Sequence, residues 1–365
     1  MQLSGEDLLR LNVMMAQDVK AVRIDENRMQ VFGLTGDGEV RVDLNTAGRH
    51  EQYLKLVRQF LSGHVFGSPG GYRVFLSRLS RMGQAKDENL QQLLMLGEPE
   101  AVVAVVHAQG LTPAVAECAW WCMPESENAR RMLEKQCIVE RDMGLVLADH
   151  LYEPLAFETD PRPMIESVRL MLQPGLIDEE KRDKLWHSSQ RKNAYLVGFL
   201  QAIPNDLPHD QPEHEKYGGF SERLAATQDN PYVEFFLWLL SSAGQRYLDT
   251  SYAILKKPAN QDVVVFMLNT FHEQMKKGFP AEYVSTPGTI EEIDEAADTL
   301  VKNNLEDSDH DEAWSQLIET CGNSCDEVYS MAWLAQVGEP IVDAIFAQTT
   351  AEGTLMRKKL QPVTE

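Results

Sequence analysis

The sequence predicts a mainly α-helical protein: an irregular stack of helical hairpins, HEAT-like in type, with a small α+β unit at the N-terminus. Two observations support this fold class. Residues 93–134 contain three or four short helical segments. Gly97 and Pro99 mark the end of one helix and the start of the next, Pro113 marks a start, and Pro124 marks an end. In the first 80 or so residues, by contrast, apolar and polar residues alternate as they do in half-buried strands.

The N-terminal unit is predicted from its capping and turn residues. Ser4 can cap a helix over about residues 5–17, because its hydroxyl can accept a backbone N–H of the first helical turn. Apolar residues then alternate with polar ones through residues 22–44, and the segment 35–38 (TGDG) is a turn signal between the last two runs. We therefore expect an antiparallel sheet of about three strands, followed by a helix over residues 49–61.

From about residue 86 onward the apolar periodicity is helical almost without interruption. The exception is the segment 203–219 (IPNDLPHDQPEHEKYGG), whose Pro, His and Asp content predicts an exposed connection. The predicted helices are 87–96, 99–109, 113–123, 126–136, 141–153, 161–173, 178–187, 188–202, 219–227, 231–241, 244–255, 260–277, 289–303, 310–321, 325–336, 340–349 and 352–358.

One internal similarity favours a repeat architecture. A Gly-Glu-Pro motif precedes an apolar helix in both Leu96–Val106 and Val337–Ala347, as at the joint of a HEAT repeat, but no fixed period fills the interval. An irregular stack is therefore expected rather than a regular solenoid. The predicted division of the chain is an α+β unit (1–82), a helical stack (83–205), an exposed linker (206–219) and a helical continuation with an acidic face (220–365).

Charge and composition exclude several classes of function. The chain carries a formal charge of −22, so both nucleic acid and anionic membrane surfaces would repel it. No apolar stretch approaches the ~20 residues that cross a bilayer, and the start MQLSGEDLLRL lacks the pattern of a secretory signal. Five cysteines in 365 residues do not form a disulfide framework. We expect a cytoplasmic protein with reduced thiols, no membrane insertion and no nucleic-acid partner.

Much of the negative charge lies in one region. Residues 281–330 contain fourteen Asp or Glu residues and one basic residue, Lys302. This pattern is typical of a solvated acidic helix face, and it also fits a docking surface for a basic protein partner. The candidate partner contacts in this region are Glu291, Glu292, Asp294, Asp307, Asp309 and Asp311.

Cys118 and Cys122 lie four residues apart in a predicted helix. Side chains at this spacing have Cβ atoms ~5–6 Å apart, whereas a disulfide needs ~3.5–4.5 Å. The residues around them are apolar. We interpret both as small buried core residues.

Cys321 and Cys325 are the candidate redox thiols. Gly322 and Asn323 between them favour a helix end, so a loop can bring the two thiols together. Acidic neighbours such as Glu327 would raise a thiol pKa and lower its reactivity, unless the helix start near Cys325 offsets them. A zinc site that combines both cysteine pairs fits no familiar spacing.

No other constellation predicts a reaction centre. The loop 63–71 (GHVFGSPGG) lacks the Gly-Lys-Ser/Thr ending of a phosphate-binding loop, and residues 307–312 begin like a calcium loop but lack its glycine. His209 and His214 could hold a metal with their acidic neighbours, but histidines in a linker more often face water. We predict no catalytic residue, no cofactor and no metal site.

Several segments resemble the sulfur-reduction protein DsrS family. They are 10–25 (RLNVMMAQDVKAVRID), 93–112 (LLMLGEPEAVVAVVHAQGLT), 119–134 (AWWCMPESENARRMLE), 164–178 (MIESVRLMLQPGLID), 191–208 (RKNAYLVGFLQAIPNDLP) and 255–265 (LKKPANQDVVV). The resemblance implies a cytoplasmic accessory or regulatory protein of dissimilatory sulfur oxidation. It carries over no catalytic residue, and it does not extend to the acidic region after residue 281.

The leading functional hypothesis is a non-enzymatic accessory protein that acts through protein–protein contacts, because stacked helices leave a long edge open to a partner. The partner expected is a protein, which the resemblance places in the dissimilatory sulfur pathway. The alternative is a sulfur-handling protein in which Cys321 and Cys325 carry persulfide or exchange disulfides. A hydrolase or transferase whose residues meet only in space is a third class. The partner's identity, the oligomeric state and any small ligand stay open.

Overall fold

The computed structural model describes residues 2–45, 49–67, 87–227, 229–279, 287–302, 312–322, 325–338 and 361–364. Within these residues the protein is mainly helical, with a three-stranded antiparallel sheet near the N-terminus, which confirms the predicted fold class. The chain divides into two compact units, Met1–Pro154 and Leu155–Glu365. The predicted four-part division at residues 82, 205 and 219 stays a prediction.

The first unit contains the sheet. Its described elements are α1 (Gly5–Met15), β1 (Val19–Asp25), β2 (Gln30–Thr35), β3 (Gly38–Asp43), α2 (His50–Phe66), α3 (Asp87–Leu94), α4 (Pro99–His107), α5 (Pro113–Cys122), α6 (Ser126–Leu133), α7 (Gln136–Val139) and α8 (Asp142–Tyr152). The strands form a meander in the order β1-β2-β3, in which Val31 pairs with Ile24 on one side and Val42 on the other. The predicted turn is confirmed, because Thr35 pairs with Gly38 across it.

The sheet and the two helices beside it share one core. Ser4 caps α1 as predicted, since its hydroxyl accepts the Asp7 amide at 3.1 Å. Leu11 of α1, Val31 of β2 and Val57 of α2 are all fully buried in the same apolar cluster. The alternation of β2 thus places one face on the helices, as a half-buried strand requires.

The second unit is helical throughout its described part. Its α-helices are α9 (Pro161–Met171), α10 (Glu179–Ser189), α11 (Ala194–Ala202), α12 (Tyr217–Arg223), α13 (Pro231–Leu240), α14 (Ser242–Lys256), α15 (Gln261–Met275), α16 (Ile290–Lys302), α17 (Glu312–Cys321) and α18 (Asp326–Ala335), with short 3-10 helices at Pro154–Phe157, Ala225–Thr227 and Lys276–Gly278. Large aromatic side chains, Trp314, Trp333, Tyr247, Phe236 and Phe271, are fully buried among them. Burial of such faces is the main stabilising term for short helices.

Proline sets several helix starts. Pro99, Pro113, Pro161 and Pro231 each occupy the first turn of a helix, where the absent N–H would lack an intrahelical partner in any case. The predicted starts at these four positions are therefore confirmed. The second Gly-Glu-Pro segment, from residue 339 onward, lies outside the described residues.

The connection before α12 is irregular, as its composition predicts, but two of its side chains are buried. Leu207 is 1% exposed and His214 is 4% exposed. The His214 amide donates to the Leu240 carbonyl at 2.9 Å, which ties this segment to the end of α13. The expectation that His214 faces water is therefore wrong, because local composition does not report this long-range packing.

Candidate functional site

Cys321 and Cys325 lie on either side of a helix–helix turn. Cys321 is the last residue of α17, and Cys325 is the N-cap residue of α18. Gly322 follows Cys321 with φ +92°, a conformation that favours glycine because other residues place Cβ against the backbone. The Cys325 amide then donates to the Gly322 carbonyl at 3.1 Å. The chain therefore leaves the helical path at Gly322, and Cys321 and Cys325 lie close enough for each to shift the pKa of the other.

The two thiols have different environments. Cys321 is half-buried, whereas Cys325 is only 8% exposed. The hydrogen bond with Cys325 lowers the pKa of Cys321, and the positive charge of Arg223 acts in the same direction against the opposing effects of burial and Glu327. A thiolate is the nucleophilic form of cysteine. Cys321 is therefore the more reactive and more accessible member of the pair.

Cys325 is held in its protonated form. Its hydrogen bond with Cys321, its burial and the nearby Glu327 carboxylate all raise its pKa above the ordinary value. The Cys325 Sγ donates to Glu327 Oε2 at 3.1 Å. The pair thus consists of an outer thiol with a lowered pKa and an inner thiol that stays protonated beside a carboxylate.

Glu327 is buried, at 3% exposed, and is the anion of this cluster. Burial would raise its pKa, but hydrogen bonds from Lys216 and Cys325 outweigh burial and the pKa lies below its usual range. Lys216 Nζ lies 2.5 Å from Glu327 Oε1, so the carboxylate is ionised and paired. The other oxygen, Oε2, is the one that faces the thiol.

His214 completes the cluster. Burial lowers the pKa of His214. The positive charge of Lys216 also lowers this pKa, whereas the negative charge of Glu327 raises it. Its Nδ1 accepts the Lys216 backbone amide at 3.3 Å, and its buried Nε2 has no hydrogen-bond partner in the described part of the chain. His214 is therefore neutral near pH 7, and it fixes the backbone from which Lys216 reaches Glu327.

The sequence indicated the two thiols but not the groups that tune them. The sequence pattern predicts only that an acidic neighbour such as Glu327 lowers thiol reactivity. In the structure it raises the pKa of Cys325, but it does not prevent a lowered pKa at Cys321. Lys216 lies 111 residues from Glu327 along the chain, and no local pattern connects the two.

The acidic candidate contacts separate into different roles. Glu291 and Glu292 are exposed in the first turn of α16, and Glu292 Oε2 accepts the Gly288 amide at 2.9 Å. Asp294 is half-buried and accepts a hydrogen bond from Trp333 Nε1 at 2.8 Å, so it supports the packing of α16 on α18. The candidates Asp307, Asp309 and Asp311 lie outside the described residues.

The remaining cysteines are in the first unit. Cys118 and Cys122 are buried, as interpreted from the sequence, and burial raises the pKa of both thiols, that of Cys122 to about 12. Cys137 is exposed, and its thiol lies 3.8 Å from the Leu111 carbonyl. Cys137 is therefore an accessible reference thiol for experiments on Cys321.

Among the described residues, no three His, Cys, Asp or Glu side chains converge as metal ligands would. Within the same ranges, no helix combines the length and the hydropathy that a bilayer crossing requires. No protein-family model matches the chain, nor does any curated protein or solved structure.

Proposed function

We propose that this protein handles thiols or sulfane sulfur through Cys321 and Cys325, with Cys321 as the attacking thiolate and Cys325 as the resolving thiol. The observation that carries the proposal is that the turn between α17 and α18 pairs a half-exposed Cys321, whose pKa is lowered, with a buried Cys325, whose pKa is raised. Reactive cysteines occupy accessible sites that favour the thiolate, whereas buried structural cysteines are inert.

The exchange proceeds in two steps. The Cys321 thiolate attacks one sulfur of a partner disulfide, the partner's S–S bond breaks, and its other sulfur leaves as a thiolate. Cys325 then attacks the Cys321 sulfur, and the proton of the Cys325 thiol ends on the departing partner thiolate. The Cys321–Cys325 disulfide forms as the second partner thiol leaves. Two electrons pass from the pair to the partner, whose disulfide becomes two thiols.

The same pair can accept sulfane sulfur. In that case the Cys321 thiolate attacks the outer sulfur of a persulfide, the donor leaves as a thiolate, and Cys321 carries the transferred sulfur. Attack by Cys325 would then release this sulfur as sulfide and close the disulfide. The resemblance to the DsrS family suggests a setting for this chemistry, as a cytoplasmic accessory protein of dissimilatory sulfur oxidation. Docking to a protein partner through the exposed Glu291 and Glu292 remains part of the proposal.

The test treats the reduced full chain with oxidised glutathione and locates products by peptide mass spectrometry. We expect the native protein to form the Cys321–Cys325 disulfide, and the variant Cys325→Ser to retain glutathione on Cys321. The variant Cys321→Ser should leave Cys325 unmodified, because that thiol is buried and protonated. Cys137 is exposed in every sample and reports whether the reagent was active.

The sulfur cargo is tested in the same way with inorganic polysulfide. A persulfide on Cys321 that accumulates in Cys325→Ser, and is replaced by the disulfide in the native protein, supports sulfur transfer. If Cys137 reacts with both reagents while Cys321 and Cys325 stay unmodified, the thiol proposal is wrong.

A further inference from the structure

The second unit contains an open cavity that the thiol proposal does not use. It has a volume of about 660 Å³ and lies between the end of α10, the start of α11 and the end of α14. Trp186, Arg191, Leu196 and Lys257 are among its lining residues. This volume falls in the range of small-molecule sites, roughly 300–1,000 Å³.

The walls of this cavity are held by specific contacts. Asn193 Nδ2 donates to the Lys257 carbonyl at 2.7 Å and so connects the start of α11 to the end of α14. The Trp186 ring stacks on His209 with centroids 5.4 Å apart and meets Phe199 edge-on at 5.0 Å. The cavity is therefore preformed, which reduces the ordering cost of binding.

The charge of the lining is opposite to that of the chain. The protein has a formal charge of −22, yet two exposed cations, Arg191 and Lys257, line this cavity. Among the lining residues the negative charge belongs to Asp249, whose Oδ2 lies 3.5 Å from His209 Nε2. The cavity thus offers two cationic groups to an incoming ligand, and its carboxylate already has a neighbour.

The rest of the lining combines apolar groups with the polar residues Ser189, Gln190, Asn193 and Thr250. The side chains of Leu196, Ala253, Pro258 and Ala259 line the cavity together with the Trp186 ring. An aromatic face beside small aliphatic groups accommodates a flat or alkyl body, and the two cations suit an acidic head. A wholly polar anion such as phosphate would leave this apolar surface exposed to water.

We infer that this cavity binds a small amphipathic organic anion, a carboxylate or sulfonate attached to an aromatic or alkyl body. The inference is independent of the thiol proposal, because no residue that lines the cavity belongs to the thiol site. Each can therefore fail without the other.

The test uses 8-anilinonaphthalene-1-sulfonate, an aromatic sulfonate that fluoresces in apolar sites, with the full native chain. We expect saturable binding of about one equivalent, with energy transfer from tryptophan that Trp186→Phe reduces. The double variant Arg191→Ala/Lys257→Ala should bind about tenfold more weakly or worse, because it loses both charge contacts. The matched control is Lys256→Ala, which removes a neighbouring exposed cation that does not line the cavity.

A neutral analogue separates charge recognition from apolar binding. N-phenyl-1-naphthylamine has a similar aromatic body without the sulfonate, and we expect it to bind more weakly than the sulfonate and with no dependence on Arg191 or Lys257. Near-ultraviolet circular dichroism shows that each variant keeps native packing, because loosely packed states also bind such dyes. Equal binding of the sulfonate to the native chain and the double variant would overturn the inference, as would binding that does not saturate.

Discussion

The different behaviour of Cys321 and Cys325 arises from single contacts rather than from general acidity. Both lie near Glu327, yet the interaction with Cys325 and the field of Arg223 lower the pKa of Cys321, whereas Cys321, burial and the Glu327 carboxylate raise the pKa of Cys325. A hydrogen bond to the charged form of a group lowers the pKa of an acid, and burial raises it. The order of reaction proposed for the two thiols follows from this asymmetry.

This asymmetry predicts a pH profile. The variant Cys325→Ala removes the largest cause of the lowered pKa of Cys321, so alkylation of Cys321 by iodoacetamide should begin at higher pH than in the native chain. At neutral pH the rate should fall by about tenfold for each unit of pKa change. Site-resolved mass spectrometry measures the rate, with Cys137 in the same sample as the reference. An unchanged Cys321 profile would show that Cys325 does not activate it.

At the scale of the elements, the acidic helix α16 packs against α18 through Asp294, one of the candidate docking residues. Trp333 of α18 is fully buried, and its indole N–H donates to Asp294 Oδ1 at 2.8 Å. Removing this acceptor deletes a hydrogen bond to a buried donor, at a cost of roughly 1–3 kcal/mol. Asp294 therefore stabilises the packing of α16 against α18, and it also adds to the negative charge of the surface.

The variant Asp294→Ala tests this role. We expect it to lower the free energy of unfolding by roughly 1–3 kcal/mol, measured by urea denaturation. Glu291→Ala is the control, because Glu291 is exposed on the same helix and such surface changes usually stay within about 0.5 kcal/mol. If both variants unfold at the same urea concentration as the native chain, Asp294 has no part in holding the two helices together.

Across the molecule, two histidines with lowered pKa values make stability sensitive to mild acid. Burial lowers the pKa of both His209 and His214 below the ordinary 6.5. At mildly acidic pH these two histidines therefore bind more protons in the unfolded chain than in the folded chain. The neutral histidines therefore contribute their full stabilisation above about pH 6.5. This contribution to the free energy of unfolding is lost as the pH falls below that value.

We expect calorimetric Tm to decrease as the pH is lowered from neutrality through this value. The double variant His209→Gln/His214→Gln should show a shallower decrease, whatever its Tm at neutral pH, because its side chains do not titrate. The slope of Tm against pH is the readout, so a general loss of stability does not obscure the result. Equal slopes for the two proteins would mean that other groups control acid sensitivity.

Local patterns account for most of the elements and for half of the candidate site. Proline at the first turn of α4, α5, α9 and α13, and alternation in β1–β3, act within a few residues, so they can be read without knowing the fold. The same holds for Cys321 and Cys325, which lie on either side of the helix end that Gly322 sets.

Contacts between distant segments, by contrast, depend on how the helices pack. Lys216 and His214 meet Glu327 because an irregular segment of Pro, His and acidic residues packs against α18, and its composition alone had suggested exposure. The anion-binding cavity likewise combines α10, α11 and α14. Short-range propensity and periodicity act through neighbours in the chain, whereas pKa values and cavities depend on which charges and apolar surfaces become neighbours in space.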